Sequence, residues 1–119
     1  MKYALLIYGA EADWSNLSNG DRDTMLAEYA AVTATPGILA GSELESVATA
    51  TTVRVQNGET LTTDGPFAET KEQLAGYYLL EVETLDDALD WAARIPSARI
   101  GTIEVRPVVP SRVPAEAAG

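Results

Sequence analysis

Asp64 stands in Asp64-Gly65-Pro66, where a carboxylate at a strand end meets a turn. Withdrawn from water, such a carboxyl has its pKa raised and can work as a general base. In water, the same residue type hydrogen-bonds backbone N–H groups two residues on and simply starts the turn. The sequence leaves both readings open. Lys71 lies in a short charged run with Glu69 and Glu72. It could pair with Asp64 or hold an anionic group, although such runs are usually solvated faces of little energetic weight. Glu104 and Arg106 are spaced i, i+2, so on a strand they project to one face while Ile103 and Val105 take the other. They read either as an ion pair or as a polar patch with Arg106 clamping an anion. Tyr8 and Tyr78 are the candidates for hydroxyl contact with a ligand. Phe67, the only Phe, is expected to anchor its loop in an apolar pocket, with a ligand wall as the second reading.

Other chemistry is excluded by composition. The chain has 119 residues with no Cys and no His. Disulfides, thiolate metal sites, cysteine nucleophiles and every histidine-based triad or dyad are therefore ruled out within it. No glycine-rich phosphate loop and no metal-ligand spacing occurs, so neither a metal nor a cofactor is expected. Asp86, Asp87 and Asp90 read as helix-start carboxylates rather than calcium ligands. With 8 Lys+Arg against 18 Asp+Glu the net charge is −10, a field that repels polyanions. Nucleic acid and anionic membranes are not expected partners.

These residues need elements to position them. Tyr3 to Tyr8 is apolar on both alternating sets, which predicts a strand covered on both faces. Followed by Ala10-Glu11-Ala12, it has the look of a leader peptide. Read as a strand, it leaves the chain cytoplasmic. Ser18 caps a helix whose third residue is Asp21, and Met25, Tyr29 and Val32 share one face. Pro36-Gly37 stops it. Ile38 to Ser46 predicts a strand. Thr51 to Gln56 and Glu59 to Thr63 flank Asn57-Gly58, the signature of a type I′ hairpin. Ala75 to Glu83 predicts the next strand. Thr84 then caps a helix with Leu85, Ala88, Leu89, Ala92 and Ile95 as its buried stripe, and Trp91 beside it in core or interface. Gly101 to Val108 predicts the last strand.

The order is βαββαβ with an inserted β-hairpin, a ferredoxin-like α+β arrangement. The domain spans residues 1–109, and residues 110–119, rich in Ala and Pro, read as a flexible tail. Two helices cover one sheet face. The other still carries large side chains, and an exposed apolar sheet marks an interface. The expectation is a two-fold homodimer packed sheet to sheet.

The segment Asp64-Gly65-Pro66-Phe67-Ala68-Glu69-Thr70-Lys71-Glu72-Gln73-Leu74-Ala75-Gly76-Tyr77-Tyr78 resembles the DGPF signature of the YCII-related family. Met1 to Tyr8 and Ile103 to Val108 are similar to that family's first and last strands. The resemblance implies a ferredoxin-like fold that dimerises into an α+β barrel. It implies little chemistry, since most members of this branch have no assigned activity. In the wider group a His-Asp pair has been proposed as an active site, and some relatives process small aromatic compounds. Without histidine, that dyad does not carry over. Some members occur near, or fused to, extracytoplasmic-function sigma factors. The expectation is a small organic molecule, anionic or aromatic, bound in a dimer cavity. Asp64 would be the acid/base, with Arg106, Glu104, Lys71, Tyr8, Tyr78 and Phe67 around it. The alternative is a non-catalytic regulatory or ligand-binding module tied to a sigma-factor system. Whether the protein is an enzyme stays open.

Overall fold

Four strands form one antiparallel sheet in a computed structural model that describes residues 1–110. In chain order the elements are β1 (Lys2–Gly9), α1 (Glu11–Ser15), α2 (Asn19–Thr33), β2 (Ile38–Glu43), β3 (Thr51–Gln56), β4 (Glu59–Asp64), β5 (Gln73–Glu81), α3 (Leu85–Arg94) and β6 (Thr102–Pro107). Short 3-10 turns at Val47–Thr49 and Pro96–Arg99 complete them. The sheet order is β2-β5-β1-β6, and β3-β4 forms a separate hairpin. Without the hairpin this is the ferredoxin-like order expected from the sequence. The tail, apart from its first residue, lies outside the described residues.

Local chemistry accounts for the boundaries. Ser18 Oγ accepts the Asp21 N–H at 3.0 Å and starts α2, and Thr84 Oγ1 accepts the Asp87 N–H at 3.2 Å and starts α3. Asn57 (φ 51°) and Gly58 (φ 79°) both adopt positive φ, as a type I′ turn requires. Strand β2 ends at Glu43, earlier than the sequence suggests, because the chain turns away through the 3-10 turn at Val47–Thr49. The short helix α1 is not anticipated by the sequence pattern. Its last carbonyls, Trp14 O and Ser15 O, accept hydrogen bonds from Arg22 of α2, whose guanidinium also lies over the Trp14 ring.

The core lies between the sheet and the helices. Tyr3, Leu5 and Ile7 of β1 and Tyr78 and Leu80 of β5 point into it, against Val32 of α2 and Ala88, Ala92 and Ile95 at α3. Leu85 and Leu89, expected in the buried stripe, are instead exposed. At 3.6 residues per turn they sit roughly 60° and 100° from the centre of the Ala88-Ala92-Ile95 line. Trp91, on the opposite flank, packs partly against the core with Arg94 over its ring.

Helix α2 is held to the turn after α3 by Glu28, whose carboxylate accepts two hydrogen bonds from Arg99 at 2.7 and 2.9 Å. Those hydrogen bonds hold the Glu28 carboxyl below its ordinary pKa and raise that of Arg99. A depressed carboxyl stabilises the fold above its unfolded-state pKa, and the contribution is lost as pH falls through the lower folded value. Glu28→Gln is therefore expected to lower the melting temperature slightly at pH 7. The gap to wild type should close as pH drops below the usual carboxylate range, in melts recorded at stepped pH.

Candidate functional site: a cleft between the second helix and the sheet

Strand register explains why a cleft opens on the helix side. On that sheet face Gly41, Tyr78, Leu5 and Val105 form one cross-strand row, and Glu43, Gly76, Ile7 and Ile103 form the next. Gly41 has no side chain because the Tyr78 ring occupies the place; a Cβ there would lie 2.4 Å from it. At Gly76 a Cβ would come within 2.8 Å of Ser42 O. Glycine inside a strand marks such close approach. The floor between Ile7 and Glu43 is consequently bare, and a cleft of about 630 Å³ lies above it. That is the size of a pocket for a small organic molecule.

Helix α2 roofs the cleft with Leu26, Tyr29, Ala30 and Thr33, and Trp14 and Glu11 of α1 close one end. Tyr29 and Tyr78 stack with centroids 6.4 Å apart and planes inclined by 22°. Their hydroxyls are both engaged. Tyr29 shares a short hydrogen bond with Ser97 Oγ. Thr33 Oγ1 donates to Tyr29 O at 2.9 Å, so in its 2.9 Å contact with Tyr78 the phenol is the donor. Burial pushes the Tyr29 phenol pKa up, opposed by Ser97 and reinforced by neighbouring Tyr78 and Glu43. It is a neutral hydrogen-bonding group at physiological pH, not a base. Glu11 is committed to the fold: its carboxylate accepts Val47 N–H at 2.8 Å and Ser46 Oγ–H at 3.1 Å, tying α1 to the loop after β2.

The residues singled out in the sequence are scattered across this frame. Tyr78 is buried in the cleft wall, and Tyr8, half-buried, borders the cleft at the end of β1. Lys71 lines a second, more open groove of about 510 Å³ with Gly65, Pro66, Glu69 and Glu11. Asp64 ends β4, opposite Thr51, and is exposed. Among the described residues no ion pair joins it to Lys71. Phe67 is 81% exposed, which corrects the expectation that it anchors its loop in an apolar pocket. Its loop follows a hairpin whose second strand is exposed throughout, and no described residue buries the ring.

Glu104 and Arg106 lie on the helix-free face, in register with Leu6 and Ala4 of β1. Arg106 Nε approaches Glu104 Oε1 at 2.9 Å. The contact is Coulombic: the N–H is not aimed at the oxygen, and that shielded oxygen accepts no hydrogen bond among the described residues.

Sequence reasoning missed Glu43, Thr33, Ser97 and the role of Tyr29. The available signal was the pair of glycines, Gly41 and Gly76, inside strand patterns.

The described residues hold no cluster of three metal-ligating side chains and no helix long and apolar enough to cross a membrane. What the fold and cleft define is a ferredoxin-like α+β domain with an aromatic, hydroxyl-bearing pocket under α2. The chain belongs to the YCII-related domain family, whose profile matches residues 1–112. It is also similar to an uncharacterized protein of Rhizobium meliloti (strain 1021), at 39% identity over 115 residues, covering 91% of this chain and 92% of that one.

Proposed function

We propose that this protein binds a small aromatic molecule in the cleft under α2, as a homodimer whose subunits meet on their helix-free sheet faces. The cleft supports binding most directly. It combines a bare floor at Gly76, ring walls at Tyr29, Tyr78 and Trp14, and hydroxyls at Tyr78, Thr33 and Ser97. Apolar walls with a few oriented polar groups are the usual makeup of a ligand pocket. The charge of the lining favours the aromatic over the anionic alternative, because among the described residues Glu11, Glu43 and Glu45 are its only charged groups. The site lies inside one chain, on the far side of the sheet from the dimer face, so the polar pair Glu104–Arg106 belongs to the interface in this reading. An acid/base role for Asp64 has no support from the cleft, which it does not line.

The dimer rests on the helix-free face. Leu6 and Leu79 are half-buried there, and Leu74 and Tyr77 are each 38% exposed. A second copy covers such a face without leaving an apolar sheet in water.

Ala30→Trp tests the binding reading. Ala30 is exposed at the cleft roof, so the larger side chain fills the cleft with little cost to folding. Wild type is expected to gain ~2.7 kcal/mol of stability from 2-phenylethanol at a hundredfold excess over Kd. The variant should gain almost nothing, as read by thermal shift and by chemical-shift changes at Tyr29 and Tyr78. Equal responses from the two proteins would remove the cleft as the binding site.

A further inference from the structure

We infer, building on the cleft reading, that the bound molecule carries a positively charged amine seated against Glu43, with its aromatic body between the Tyr29–Tyr78 pair and Trp14. The cavity itself selects the charge. Among the described residues no Lys or Arg lines it, and the three carboxylates there are not equivalent. Glu11 spends both oxygens on Ser46 and Val47. Glu43 takes no hydrogen bond and no ion pair among the described residues, although its strand register puts it on the helix face opposite Gly76.

That position matters because Gly76 leaves nothing between Glu43 and Ile7. The exposed Glu43 side chain therefore borders the bare part of the floor. It is near enough to Tyr29 for its charge to act on the phenol. An ammonium placed there meets the Glu43 carboxylate, with the Tyr29 phenol close by, while the aromatic body rests on the ring walls. A ligand carboxylate in the same place would face Glu43 and Glu45 under a field set by a net charge of −10. The rings give affinity to any flat apolar body, so the charged end is what this site can discriminate.

Three probes of matched size separate the possibilities: 2-phenylethylamine, 2-phenylethanol and 3-phenylpropionate, titrated into the full chain by calorimetry or NMR in low salt. The amine is expected to bind about fivefold more tightly than the alcohol, the gain of one partly screened ion pair. The propionate should bind most weakly. The amine advantage should shrink as salt is raised. In Glu43→Gln the amine-to-alcohol ratio should collapse to near one. If the alcohol or the acid matches the amine in wild type, or if the ratio survives in Glu43→Gln, the amine inference is overturned while the cleft stands. If none of the three binds, the cleft reading falls and the inference with it.

Discussion

Leu80→Ala is expected to lower the unfolding free energy by about 3 kcal/mol, within the range for Leu truncation in a packed core. Leu80 is wholly buried, paired in the sheet with Tyr3 on one side and Ile38 on the other. The loss has two parts. Methyl groups leave an apolar environment, and a void remains because the close-packed neighbours relax only partly. For a domain of this size the midpoint should fall by roughly 10–20 °C. Thermal melts followed by circular dichroism check this. A change of under about 3 °C would show that the core is not centred on this strand. Leu80 does not line the cleft, so the folded variant should retain its oligomeric mass and its ligand response.

Leu79→Asp, one residue earlier, should do the reverse. Leu79 points to the helix-free face, flanked in register by Ala4 and Ala40. In the proposed dimer it lies beneath the partner's sheet. A carboxylate there would be buried without a partner, a cost of several kcal/mol. In the monomer it would only be hydrated on an open surface. Self-association should weaken by about a hundredfold or more, ~3 kcal/mol, with a much smaller change in the monomer's melting temperature. Light scattering at micromolar concentration should give a two-chain mass for wild type and a one-chain mass for the variant. A one-chain mass for wild type would reject the dimer outright. The two adjacent leucines thus separate folding from assembly, because consecutive strand residues face opposite sides of the sheet.

The parts of this protein that its sequence determined alone are those whose causes lie close together along the chain. Ser18 and Thr84 cap helices through N–H groups three residues on. Asn57-Gly58 makes its turn from its own backbone preferences. The apolar run of β1 marks it as a strand, and the Ile103/Glu104 alternation shows which faces β6 divides. The DGPF segment carried the family resemblance, and its last residues, 73–78, line the cleft, although the motif itself does not announce one.

Tertiary structure decided the rest. Phe67 looked like an anchor by residue type, but whether anything covers it depends on where the β3-β4 hairpin stands. Leu85 and Leu89 were apolar at helical spacing, yet the approach direction of α3 placed Ala88, Ala92 and Ile95 inward instead. The cleft is the clearest case. It exists because glycines on β2 and β5 come into register with Tyr78, Ile7 and Glu43, and because α2 is held above them through Glu28–Arg99 and Tyr29–Ser97. Those partners are separated by tens of residues in the chain. An empty space also has no residue of its own, so it is defined only once strand pairing has set which side chains are missing from the floor.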